Sequence, residues 1–123
     1  MSLDITPKTP PGRQIIQAYG EGGFRVSGED HVGSVLVFLD HTEAWSGELT
    51  DDGLQSIINA DDRPEILVVG CGPVFMLPPE ELRVALKAVG IALEWMDSAA
   101  ACRTYNVLAI EERPIAAALI AVD

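Results

Sequence analysis

From Glu65 onward the chain alternates short apolar runs with stretches of helical spacing, and this alternation constrains its fold more than any other feature. Glu65-Ile-Leu-Val-Val69 has the length of a strand and ends in the loop Gly70-Cys71-Gly72-Pro73. Pro78-Pro79 opens a helix with Leu82, Ala85, Leu86 and Val89 on one face, and Gly90 stops it. Ile91 to Met96 reads as the next strand, Asp97 caps a helix from Ser98 to about Ile110, and Pro114 precedes a last strand from Ile115 to Ala121. Strands that alternate with helices pair in parallel through right-handed crossovers, so the spacing predicts an α/β fold with a mostly parallel central sheet.

The upstream half supplies less regular elements. Residues 7–12, Pro-Lys-Thr-Pro-Pro-Gly, break regular structure, which makes 1–13 an extended lead-in and 14–123 one α/β domain. Gln14 to Tyr19 and Phe24 to Val26 read as the strands of a hairpin, reversed by Gly20-Glu21-Gly22-Gly23, and the hairpin is expected to attach to the parallel layer. A second turn, Ser27 to Gly33, leads into Ser34-Val-Leu-Val-Phe-Leu39, whose unbroken apolar character suits a strand covered on both faces. Thr50 before Asp51-Asp52 is a helix start, Leu54, Ile57 and Ile58 give that short helix an apolar face, and Asp61-Asp62-Arg63-Pro64 closes it. The expected order is β-β-β-α-β-α-β-α-β.

Charge and motif content narrow the function classes. Eight Lys and Arg stand against 19 Asp and Glu, a net charge of −11 that repels phosphate backbones and anionic lipid, so no nucleic-acid partner is expected. The longest apolar run, Ile115 to Val122, is too short to span a membrane, and the N-terminal residues carry no basic or apolar signal core. With two cysteines and no dense cysteine framework, the expectation is a cytoplasmic protein with reduced thiols. CxxC, HExxH, GxSxG and Walker-type motifs are absent, and His31 and His41 lack the usual ligand spacing. No catalytic residue, metal or cofactor is therefore assigned, and the reading leans away from an enzyme.

In open parallel sheets, ligands bind beyond the carboxyl ends of the strands. Two loops fall there. Gly70 and Gly72 let backbone approach a bound group closely, and the turn from Asp97 through Ser98 and the following alanines leaves helix-end N–H groups uncovered, with Arg103 one turn further on. Two readings stand side by side: a carboxylate or phosphate site, or close helix packing with Arg103 paired to Asp97 or Glu94. Cys71 and Cys102 could be neighbours, and a thiol at a helix N-terminus favours thiolate, which raises a redox pair against the ordinary role of buried cysteine as a small hydrophobe. Trp45 and Trp95 read as packing anchors. Ala101, Tyr105 and Leu108 share a helical face toward the sheet, while Arg103 and Asn106 share another.

Several blocks occur together in order: Gly20-Glu-Gly-Gly-Phe24, Gly33-Ser34, Trp45, Gly70-Cys-Gly72, Pro78-Pro79, Met96-Asp-Ser-Ala-Ala-Ala-Cys-Arg-Thr-Tyr-Asn-Val-Leu108, Glu112-Arg113 and Ala116-Ala-Ala-Leu119. On these blocks the chain, from about Ile15 to Val122, resembles the small α/β domain family that includes mitochondrial respiratory complex I assembly factor 3 and an adipogenesis-associated domain protein. The resemblance implies a compact three-layer α/β arrangement, no assigned chemistry, and action through a protein partner. It also draws attention to a cleft at Gly70, Gly72, Arg103, Thr104 and Asn106. The chain departs from the family pattern in two places. Cys71 stands where relatives usually carry threonine, and Pro73-Val-Phe-Met-Leu77 replaces a polar or basic stretch, which makes Phe75 and Met76 candidate contacts for a protein partner.

Overall fold

The computed structural model describes residues 3–4 and 12–123. Among these, strands β1 (Leu3–Asp4), β2 (Ile16–Gly20), β3 (Gly23–Val26) and β4 (Glu29–Val32) form an antiparallel sheet in that spatial order. Two-residue loops build its hairpins. Glu21 and Gly22 sit at φ 55° and 78° between the paired Gly20 and Gly23, and Ser27 and Gly28 at φ 46° and 87° between Val26 and Glu29. Positive φ at both central residues is the type I′ geometry, whose twist matches that of the flanking strands.

A second sheet contains β5 (Val35–Val37), β6 (Thr42–Ala44), β7 (Ile66–Gly70), β8 (Ala92–Met96) and β9 (Ile115–Leu119), in the order β6-β5-β9-β7-β8. β7 runs parallel to both β8 and β9, while β5 runs antiparallel to both β6 and β9. The helices are α1 (Gln55–Ile58), α2 (Glu80–Ala88) and α3 (Ser98–Ile110).

The α/β class stands, but the sheet architecture corrects the expectation. The sheet is mixed, its strand order differs, and the N-terminal hairpin belongs to a separate antiparallel sheet rather than to the parallel layer. The parallel pairing inferred from alternation holds where helices cross over, from β7 through α2 and α3 to β9. It fails at β5 because β9 returns to sit between β5 and β7, and because β5 turns directly into β6, with Phe38 N–H donating to the His41 carbonyl at 2.8 Å. β1, β4 and β6 are additions to the expected order. The extended lead-in lies largely outside the described residues, and within it Leu3–Asp4 pairs with Tyr19 and Ala18 as β1.

α1 and α2 cover one face of the five-stranded sheet, where Leu54, Ile57, Leu82 and Leu86 pack with Leu67, Val69, Ala116 and Ala118. Trp45 and Trp95 flank that core, and their indole N–H groups donate to the carbonyls of Gly53 at 2.8 Å and Met76 at 2.6 Å. α3 lies on the opposite face and contacts both sheets. Its Ala101, Tyr105 and Ala109 are buried in one core with Val68, Ala117 and Leu119 of one sheet and with Ile16, Phe24 and Val26 of the other.

Candidate functional site

The junction of β7 and α3 brings the glycine loop against the start of the helix. Asp97 caps α3, its Oδ1 accepting from Ala100 N–H at 2.9 Å. Ser98 is fully buried: its hydroxyl donates to the Ile120 carbonyl at 2.7 Å and accepts from Gly72 N–H at 3.0 Å, while its own N–H donates to the Gly72 carbonyl at 2.8 Å. A Cβ on Gly70 would stand 2.8 Å from Ser98 Cα and 3.1 Å from Ala101 Cβ, so the absent side chain here admits α3 itself. Gly72, at φ 118°, holds a backbone conformation that L side chains rarely adopt.

The remaining cleft candidates separate. Thr104 is half-buried and its hydroxyl donates to Met96 Sδ at 3.3 Å. Asn106 is buried on the far side of α3, where its Oδ1 accepts from Ile16 N–H at 2.9 Å and its Nδ2 donates to the Ile16 carbonyl at 2.8 Å, fastening β2 to the helix. Arg103 is exposed and has no hydrogen bond or ion pair among the described residues. Arg103 and Asn106 therefore do not share one groove. A concavity of about 370 Å³ does adjoin the start of α3, lined by Pro73, Ala99, Ala121, Val122 and Asp123.

Cys71 and Cys102 are both buried and unpaired. Burial pushes the Cys102 thiol up to about 12, against a smaller opposing pull from Arg103. Of the two readings of this cysteine, burial favours the neutral thiol of a small hydrophobe over a thiolate near the helix N-terminus.

Immediately after the glycine loop, Val74, Phe75, Met76 and Leu77 are 65%, 58%, 54% and 83% exposed. The Trp95 indole bond to the Met76 carbonyl holds this apolar segment beside β8. Phe75 and Pro78 wall a groove of about 590 Å³ whose other sides are Glu80, Arg83, Val84 and Lys87 of α2 and Ile91, Ala92, Leu93 and Trp95 at β8. Val84 itself is 59% exposed.

A second concavity, of about 450 Å³, lies at the opposite end of the sheet, where Phe38, His41, Glu43, Arg63, Pro64 and Pro114 meet. His41 stacks on Phe38 with ring centroids 4.5 Å apart, its Nδ1 lies 2.7 Å from Asp40 Oδ1 and its Nε2 3.4 Å from Glu43 Oε2. Asp40, then Glu43, holds the His41 pKa above the ordinary value. Sequence spacing considered His41 only as a metal ligand. The adjacent Asp40 carboxylate was the visible signal for an ion pair. No group of three or more His, Cys, Asp or Glu side chains among the described residues is arranged to hold a metal ion.

Comparison with known proteins places this arrangement in a family. Residues 16–120 match the family described as "Protein of unknown function (DUF498/DUF598)". The chain belongs to this family. An uncharacterized protein of Rhodobacter capsulatus is 34% identical over 94% of this chain and 93% of its own length. The NADH dehydrogenase (ubiquinone) 1 alpha subcomplex assembly factor 3 of Xenopus tropicalis is 38% identical over 86% of this chain, which spans 60% of that protein's length. A crystal structure described as that of an outer membrane protein from Bartonella henselae superposes with a TM-score of 0.84 at 37% identity, covering 92% of this chain and 98% of that one. Among the described residues, no helix of this family member is long and apolar enough to cross a membrane.

Proposed function

We propose that the protein is a non-enzymatic interaction module that docks a protein partner through Phe75 and Met76, working in the assembly of a respiratory complex. The observation that carries this reading is the contiguous exposed run from Val74 to Leu77, held in place by Trp95 rather than folded into the core. Support also comes from relatives that bear the name of an assembly factor. Nucleic acid has no place in this reading, given the net charge of −11, and the protein works from the cytoplasm.

Affinity capture of the tagged protein from gently solubilised cells tests it. NADH dehydrogenase subunits or their assembly proteins are expected at near-stoichiometric levels with the native chain and absent with a Phe75→Asp, Met76→Asp double variant. Equal recovery with both chains removes the loop as the contact. Recovery from a membrane-enclosed compartment other than the cytoplasm overturns the location.

A second reading, a small-anion site on α3, draws on Arg103, which is exposed with no hydrogen bond or ion pair among the described residues. It requires that a carboxylate or phosphate compound raise the melting temperature and that Arg103→Ala abolish the rise. A flat response across a broad anion screen eliminates it.

A further inference from the structure

β8 is an edge of the five-stranded sheet, and its main-chain groups divide cleanly between two directions. Ala92 N–H donates to the Glu65 carbonyl and Cys71 N–H donates to the Met96 carbonyl, each at 2.8 Å. Ala92, Glu94 and Met96 therefore turn their backbone toward β7, and the period of two along a strand turns the N–H and C=O groups of Leu93 and Trp95 outward. None of those four groups has a hydrogen-bond partner among the described residues. Among the described residues the other edge strands are shorter, β1 having two residues. β4 carries Glu29 and Asp30, and β6 is only three residues long. Beside β8, Leu93 and Trp95 open onto a groove whose apolar wall is Phe75, Pro78, Val84 and Ile91, with Glu80, Arg83 and Lys87 of α2 also lining it.

The charge pattern at this edge chooses among occupants. Glu94 is exposed at the centre of β8 and does not line the groove. Two copies of this chain paired antiparallel through β8 would bring Glu94 toward its own counterpart across molecules that each carry a net charge of −11. A segment of a different protein with alternating apolar and basic residues meets both faces. Its apolar side chains enter the groove and its basic side chains lie opposite Glu94. We propose that β8 and the groove between the 74–78 segment and α2 capture such a segment as an added sixth strand. This rests on the docking reading above and specifies the partner's chemistry: an extended, basic and apolar strand.

The test uses the whole protein and a defined probe, the end-blocked peptide Lys-Val-Lys-Val-Lys-Val-Lys, followed by amide NMR. The expected result is saturable shifts and slowed exchange at the Leu93 and Trp95 amides, with no binding of the Glu-for-Lys peptide. Leu93→Pro removes an outward N–H that the native ladder does not use, and should weaken binding at least about tenfold, the weight of one to two hydrogen bonds. Glu94→Lys, an exposed change, should reverse the preference toward the acidic peptide. Peptide shifts confined to residues 74–77, with Leu93 and Trp95 unmoved, would overturn strand addition while leaving loop docking intact. Absence of peptide binding at millimolar concentration overturns it too, and concentration-dependent protection of both amides without peptide identifies a second copy as the occupant instead.

Discussion

At the residue scale, the glycine loop shows how a correct observation carries two explanations. Gly70 was legible as a position that needs no side chain, but the approaching group is Ser98 of the chain's own helix, a contact 28 residues away that local spacing does not reveal. A methyl group there would have to displace helix backbone. Gly70→Ala is expected to destabilise the fold by about 1–3 kcal/mol, the usual cost of overpacking, and denaturant unfolding measures it. An unchanged midpoint would mean that α3 can move away from β7 freely. Cys102 makes the same point about environment. Its place near the N-terminus of a helix set a thiolate beside the neutral thiol as an alternative reading, but a helix dipole contributes typically about 0.3–1 kcal/mol, whereas full burial shifts a titration by several pKa units. The pKa of about 12 follows from the second effect. Alkylation of Cys102 in the native protein is accordingly expected to proceed no faster than global unfolding exposes it.

At the scale of elements, helices were the most legible part, because caps and apolar spacing lie within a few residues of one another. Asp97 and Gly90 mark helix boundaries that the structure retains. Strand β4 was missed although its signal was present: Ser27-Gly28 is a two-residue type I′ turn, and treating residues 27–33 as one long turn hid the strand after it. Glu29, Asp30 and the almost fully exposed Val32 give that strand no buried alternation to read. The β5–β6 hairpin, equally unexpected, carries the Asp40–His41–Glu43 cluster. Asp40 raises the pKa of His41, so the folded protein binds a proton there that the unfolded chain releases more readily. The stabilisation is complete below the unfolded histidine value of 6.5 and is lost as pH rises through the higher folded value. Because the His41 side chain is 53% exposed, the contribution is small, and the sharper measurement is the His41 titration itself by proton NMR. It should lie above the ordinary value and fall in Asp40→Asn. A titration indifferent to that substitution would remove Asp40 as the cause.

At the scale of the whole molecule, alternation predicted parallel pairing among the strands joined by helices but neither their spatial order nor the division into two sheets, which depends on contacts between residues some 90 positions apart. α3 is the shared element. Tyr105 extends its hydroxyl between the carbonyls of Gln14 at 3.2 Å and Phe38 at 3.3 Å, and Asn106 satisfies both backbone groups of Ile16. With the apolar core continuous from Phe24 and Val26 through α3 to Val68 and Ala117, residues 14–123 are expected to unfold as one cooperative unit. The two tryptophans lie on the α1–α2 side of the five-stranded sheet, so their fluorescence reports that half while amide exchange of Phe24 and Val26 reports the other. In the native chain, exchange at those two amides should follow the same denaturant dependence as the fluorescence transition. Asn106→Ala leaves the Ile16 N–H and C=O without their partners inside the protein, at a cost of about 2–4 kcal/mol for two buried groups. That loss falls on the junction rather than on either sheet. The amides of β3 should then exchange through a local opening well below the fluorescence midpoint, while the tryptophan transition moves less. If both probes instead shifted by the same amount, α3 and the four-stranded sheet would be coupled through the apolar core alone, and Asn106 would contribute stability without governing cooperativity.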